Sequence, residues 1–228
     1  MKISGIRRVL MDIDGTMTWY TGVPSRDGLM LHTLTEMLMA QEKIDQKTAE
    51  SLIYRCGDVE IQCLSEFLPA LNISREKYFT AVRDELAKSI YIPEDTKVFL
   101  QKAKDAGIPV CTATTNSVFA TLIKLSVGGL ADINGSPYIS GYHPGCEFGD
   151  PEGKFSVNYF PDILKKHKYD PETLMMVGDE IEHDFYPALK AGIRYGVVID
   201  RNQKERLIEK DGGIFISDLR VLAELMEI

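Results

Sequence analysis

Two aspartates, Asp12 and Asp14, stand two positions apart directly after the apolar run Val9-Leu10-Met11, and Gly15, Thr16 and Thr18 follow in the same loop. Acids at the end of a buried strand are costly to desolvate unless a metal or a partner satisfies them, so this spacing marks a site. Gly15 permits the sharp turn that the strand end needs. Further along, Thr112-Ala113-Thr114-Thr115-Asn116 and Gly178-Asp179-Glu180 close two other strand-like runs. Asp184 follows as a helix begins, and Lys154 stands alone between Gly153 and Phe155. In an open parallel sheet the carboxyl ends of the strands share one rim, where ligands gather, and acids, hydroxyls and a lysine meet there. That set suits phosphoryl transfer through a covalent intermediate, in which a carboxylate attacks phosphorus and carries the phosphoryl group. Attack of one anion on another requires charge neutralisation, which Mg2+ and a lysine provide. Asp12, Asp179 and the carbonyl of Asp14 make an oxygen set of the kind Mg2+ prefers. Asp14, two residues beyond the nucleophile Asp12, is spaced to protonate the leaving oxygen and later to deprotonate the attacking water.

The elements that must position these residues show as a change of rhythm along the chain. Apolar strand runs at 9–11, 108–114, 173–177, 195–199 and 213–216 alternate with helical patterns over 95–106, 117–127, 155–167, 185–191 and 219–226. This alternation predicts an α/β fold: a doubly wound, mostly parallel, five-stranded (Rossmann-like) sheet covered on both faces. Residues 19–93 carry amphipathic helical spacing and no good strand pattern. Ser25, Asp45 and Ser74 are placed to cap three helices, the last with Phe79, Val82, Leu86 and Ile90 inward, and another runs through Ile61, Leu64, Phe67 and Leu68. The expected division is an α/β catalytic core domain of 1–18 and 94–228 with a small helical cap domain of 19–93. Trp19 and Tyr20 either line the pocket or pack at the cap hinge. Residues 128–153, rich in Gly, Pro, Asn and Asp, read as a long connection, a substrate loop or merely a mobile one, with 137–140 as an extra strand.

Bulk composition narrows the classes. A formal charge of -8 disfavours a general nucleic-acid binder, which would show a basic face. No segment has the apolar length of a membrane span, and the first eight residues lack a signal-peptide core. Cys56, Cys63, Cys111 and Cys146 form no CxxC pair and read as reduced thiols of a cytoplasmic protein. Cys146 lies near His143 in sequence, but two candidate ligands in a glycine-rich loop are more often chance than a zinc site. The run Lys165-Lys166-His167-Lys168 reads as a solvated helix end rather than an anion patch. The expected partner is a small phosphorylated metabolite, with no nucleic acid and no membrane, and the expected state is a monomer or weak homodimer.

Asp12-Ile13-Asp14-Gly15-Thr16 resembles the first motif of the haloacid dehalogenase-like hydrolase superfamily. Thr114 with Thr115-Asn116 resembles the second, Lys154 the third, and Gly178-Asp179-Glu180-Ile181-Glu182-His183-Asp184 the fourth, followed by Lys190-Ala191-Gly192-Ile193. Four ordered elements cover nearly the whole chain, although Phe155 stands where the family often has proline after its lysine. The resemblance implies a helical cap over the site, Asp12 as nucleophile and Asp14 as general acid/base. It further implies that Thr114 hydrogen-bonds the phosphoryl group, Lys154 balances its charge, Asp179 ligates Mg2+ and Asp184 supports from behind. The register of the second motif also allows Thr115 to take the hydroxyl role, and Thr16, Thr115 and Asn116 are expected against substrate. The second aspartate favours phosphate-ester hydrolysis, because dehalogenating members lack it and a halide leaves without a proton. A phosphohexomutase uses the same acid, so it stays as an alternative. A phospho-accepting receiver domain, the non-enzymatic rival, usually has adjacent acids on its first strand and no helical insert.

Overall fold

The computed structural model describes residues 2–59, 62–150 and 152–228. The opening apolar run forms β1 (Arg8–Met11), and β2 (Trp19–Tyr20) leads into α1 (Leu29–Glu42), α2 (Gln46–Cys56) and α3 (Arg75–Leu86). The chain returns through β3 (Ile90–Tyr91) to α4 (Glu94–Asp105), β4 (Val110–Thr114), α5 (Val118–Ser126) and β5 (Ile139–Pro144). Then follow α6 (Tyr159–His167), β6 (Leu174–Gly178), α7 (Tyr186–Lys190), β7 (Tyr195–Ile199), β8 (Leu207–Lys210), β9 (Gly213–Ile216) and α8 (Leu219–Leu225). Among the described residues no helix is long and apolar enough to cross a membrane.

The sheet is α/β and mostly parallel as expected, but it has seven strands, in the order β5-β4-β1-β6-β7-β9-β8. Among the described residues of this sheet only β8 runs antiparallel, against β9. Its Glu209 and Lys210 are exposed at the sheet edge, so its sequence carries charge where an interior strand would carry an apolar run. β5 extends past the expected 137–140 to Pro144. From β1 the chain winds to β4 and β5 on one side and then to β6 and β7 on the other. That reversal puts a topological switch point beside β1. Val9, Leu10 and Met11 are fully buried, and alternate residues face different layers. Val9 and Met11 pack with Phe99 and Leu100 of α4 and Leu222 of α8, while Leu10 packs with Tyr159, Phe160 and Ile163 of α6. Burial on both faces is why this strand reads as a continuous apolar run.

Residues 19–93 differ from expectation in detail. β2 and β3 pair as an antiparallel ribbon, so Trp19 and Tyr20 form one leg of the passage between sheet and helices and Ile90 belongs to the other leg, not to a helix. Strands of two residues are too short to leave a periodic signal. α1 starts from Gly28, which has a φ of 62°, rather than from a Ser25 cap. Asp45 and Ser74 do cap α2 and α3, accepting from the amides of Thr48 and Lys77. Of the remaining expected helix only a single tight turn, Leu64–Glu66, is present, and Ile61 lies outside the described residues. The helix expected from 155 is also divided: a tight turn at Gly153–Phe155 is separated from α6 by an extended Ser156. The helices share a core of Leu34, Leu38, Ile53, Tyr78, Phe79 and Val82, and that core continues onto Phe119, Leu122 and Ile123 of α5. α5 therefore serves two layers, since its Leu125 belongs to the core beneath the sheet.

One buried ion pair braces the loop after β1. Arg201, just beyond β7, pairs with Asp95 at the start of α4 and donates from Nη2 to the Thr16 carbonyl at 2.8 Å. Asp95 also accepts from the Leu219 amide at 2.9 Å. The two side chains are 11% and 5% exposed, so water is a poor substitute partner for either charge. Removing one partner of such a pair costs about 3–5 kcal/mol, whereas replacing both costs less. Arg201→Met is expected to lower unfolding free energy in urea by about that amount, and the Asp95→Leu/Arg201→Met pair by less than the sum of the single losses. Additive losses would show that the two side chains do not act as a unit.

Candidate active site

β1 ends inside the sheet, so Asp12 emerges between β4 and β6, its amide donating to the Val177 carbonyl at 2.9 Å. Two close approaches depend on glycine. Gly15 has a φ of 74°, and a Cβ there would sit 2.0 Å from Asp179 Oδ2; a Cβ at Gly178 would sit 2.2 Å from Asp184 Cγ. Gly15 thus lets the first loop close over Asp179, and Gly178 lets Asp184 fold back towards the strand. A wide, π-type turn at Ile181–Phe185 directs Asp184 inward, where its Oδ2 accepts from the Glu180 amide at 3.1 Å. Asp184 is therefore a buried member of the site rather than a helix cap.

Asp12, Asp179 and Asp184 bring carboxylate oxygens within 4.8 Å of one another, and among the described residues they are the group of acids arranged to hold a metal ion. Lys154 faces two of them, with Nζ 2.5 Å from Asp12 Oδ1 and 2.6 Å from Asp184 Oδ1. Burial pushes the Asp12 carboxyl up; the Lys154 ammonium pulls it back, while Asp184 and Asp14 push it up further. Asp179 is pushed up to about 6 by burial and then by Asp184. Burial pushes the Lys154 pKa down, but the carboxylates of Asp12 and Asp184 outweigh it and raise it. Three acids against one ammonium leave uncompensated negative charge, and hard oxygen donors at this spacing fit a divalent cation.

The Asp14 side chain stands outside this group, close enough for its charge to raise the Asp12 pKa. Lys124 of α5 reaches both its oxygens, at 2.8 and 2.6 Å, and Asn116 Nδ2 donates to Oδ2 at 2.8 Å. Lys124 also donates to Asn116 Oδ1 at 2.6 Å, which closes a three-residue network. Lys124 was not among the residues singled out from sequence, yet a signal exists: it is the lone charge in Val118–Ser126, a helix otherwise apolar around most of its surface. Thr114 is buried, and its Oγ1 accepts from Asn116 Nδ2 at 2.7 Å. Thr115 is exposed and lines a cavity with Asn116, Ser117, Gly145 and Lys154. Thr16 is fully buried and donates to Asp179 Oδ1 at 3.3 Å, so its hydroxyl supports an acid rather than facing open space.

The cavity beside Thr115 and Lys154 has a volume of about 660 Å³, and the connection after β5 supplies Cys146, Asp150 and Gly153 to its wall. A second cavity of about 470 Å³ lies beside Asp14 and Lys124, and Met30, Val59, Leu64, Asn116 and Ala120 line both. His143 does not meet Cys146; its ring is buried among Phe148, His167 and Tyr169.

No protein-family model matches this sequence, and no curated protein does. Solved structures match over their full length. A haloacid dehalogenase (HAD) phosphatase from Thermococcus onnurineus is 18% identical with a TM-score of 0.53, covering 96% of this chain and 97% of that one. YfnB from Bacillus subtilis, solved bound to magnesium, is 14% identical with a TM-score of 0.56, covering 98% and 99%. CbbY from Rhodobacter sphaeroides, solved with phosphate, is 16% identical with a TM-score of 0.55, covering 98% and 100%. Dehalogenases match with similar scores. At these identities the likeness is one of fold: the chain has the α/β fold of the HAD-like hydrolases.

The crowded acids make a prediction with a definite sign. Asp179 binds its proton more tightly folded than unfolded, so without a cation its contribution to stability falls as pH rises from about 4, the unfolded carboxylate range, to about 6. A cation must displace that proton, so its stabilising effect grows over the same interval. Adding a divalent cation to chelator-treated protein is expected to raise Tm more at about pH 7.5 than at about pH 5, and Asp179→Asn is expected to remove the rise. An undiminished rise in that variant would locate the cation elsewhere.

Proposed function

We propose that the chain is a magnesium-dependent phosphatase that hydrolyses a small phosphorylated metabolite through a phosphoryl group carried on Asp12. The observation that carries this reading is Asp14. A second acid is held by Lys124 and Asn116 beside the cavities, and a departing alkoxide needs a proton whereas a halide does not.

Asp12 attacks phosphorus through a carboxylate oxygen, and the bond from phosphorus to the leaving oxygen breaks. The electron pair goes to that oxygen, which takes a proton from Asp14 and departs as the alcohol. Water then attacks the same phosphorus and gives a proton to Asp14, and the phosphorus–Asp12 bond breaks to release phosphate and restore the carboxylate. Lys154, 2.5 Å from Asp12, offsets the negative charge that would repel the incoming ester. Thr115 lines the cavity and would donate its hydroxyl to a phosphoryl oxygen, and Thr114 holds Asn116 in place. Magnesium held by Asp12 and Asp179, with Asp184 beside them, would supply further charge neutralisation.

With Mg2+ and a phosphate-ester panel that includes an aryl phosphate, wild-type protein is expected to turn over, and Asp12→Asn and Asp14→Asn to lose activity. An inert wild type across the panel overturns the reading. Lys124 and Asn116 are positioning residues for Asp14, so their effect depends on the leaving group. General acid catalysis supplies about 10²–10⁴-fold, chiefly for poor leaving groups. Lys124→Met is therefore expected to lower kcat for an alkyl phosphate at least about tenfold more than for p-nitrophenyl phosphate. Equal losses on both esters would assign Lys124 to folding alone.

A further inference from the structure

The two cavities share a wall. Lys154 and Thr115 line the first; Asp14 and Lys124 line the second, and Asn116 stands between. With the phosphoryl group at Lys154 and the leaving oxygen at Asp14, the rest of the leaving group extends into the second cavity. Its volume of about 470 Å³ is in the range of sites that enclose small organic ligands.

The wall of that chamber is apolar. Leu29 and Met30 come from α1, Val82 and Leu86 from α3, Ile90 from β3 and Ile123 from α5. Among the described residues, few polar side chains around it are left to meet a hydroxyl-rich ligand. Lys124, Asn116 and Asp14 are already bonded to one another. Arg26 is turned to His32 and Glu36 on the surface, and Ser25 and Tyr20 are exposed to solvent, so their hydroxyls are the polar groups left open beside the apolar wall. A sugar or polyol in this chamber would give up hydrogen bonds to water without replacing them. A hydrocarbon group would gain from burial, where a single methylene in an apolar pocket is worth about 10–200-fold in specificity.

We infer that the chamber between α1, α3 and α5 binds an apolar leaving group, so that the substrate is the phosphate monoester of a hydrophobic alcohol rather than a sugar or polyol phosphate. This rests on the phosphatase reading for the reaction, while the chamber's preference is a property of its walls. Benzyl phosphate and glycerol 1-phosphate compare the two classes with alcohols of similar intrinsic reactivity. In the Mg2+-loaded full chain, kcat/KM for benzyl phosphate is expected to exceed that for glycerol 1-phosphate by at least about tenfold. Val82→Thr, which keeps the volume and adds one hydroxyl to the wall, is expected to narrow that ratio. A binding measurement needs no turnover: benzylphosphonate is expected to bind at least about tenfold more tightly than 2,3-dihydroxypropylphosphonate by calorimetry. Equal or reversed preference in either assay overturns the inference. Tight benzylphosphonate binding without hydrolysis of any ester supports the chamber assignment and retires the phosphatase reading instead.

Discussion

Three carboxylates within 4.8 Å of one another, faced by one buried ammonium, are the constraint on which the rest of this structure depends. Such a group is unfavourable in isolation, and the fold assembles it from rigid parts. β1 and β6 are adjacent and parallel, so Asp12 and Asp179 leave the sheet side by side, and Gly15 and Gly178 give them room. The π-type turn brings in Asp184, and the tight turn at Gly153–Phe155 brings in Lys154. Arg201 and Asp95 fix the loop from the opposite side. The unbalanced charge is what makes the place fit for a cation, and a cation is what would let a negatively charged protein accept an anion there.

Much of this was legible because the signals were local. β1 reads as apolar since it is covered on both faces, and its terminal acids stand out against that run. The aspartates and Lys154 follow in an order that implies their convergence. The rest depends on tertiary geometry. Lys124 touches Asp14 across 110 positions, and a lysine on a helix is ordinarily a solvated charge. Thr114 and Thr115 are adjacent, yet Thr114 ends the strand with its hydroxyl spent inside on Asn116, while Thr115 lies beyond the strand, exposed and lining the cavity. Beyond the five main strands, β5 was legible only at 137–140 because its segment is dominated by turn residues, and β8 was missed because it carries charge at an edge. The ribbon of β2 and β3 is too short to announce itself.

The acids and the lysine come from the strand ends, whereas the walls of the second cavity come largely from the inserted helices. α5 joins the two parts: it carries Lys124 to Asp14 on one side and packs Phe119, Leu122 and Ile123 into the helical core on another. Changes among residues 19–93 would therefore reshape that cavity while leaving the acids in place. Likeness to both phosphatases and dehalogenases is likeness of fold, and a shared fold does not carry a shared reaction.

The most direct test of the proposed chemistry follows oxygen. In water enriched in ¹⁸O, hydrolysis of a phosphate ester by the Mg2+-loaded protein is predicted to place the label in inorganic phosphate and leave the Asp12 peptide unlabelled by mass spectrometry, because water attacks phosphorus. Label in the Asp12 carboxylate, with a haloacid as the compound consumed, would mean attack at an ester carbonyl and would contradict the account.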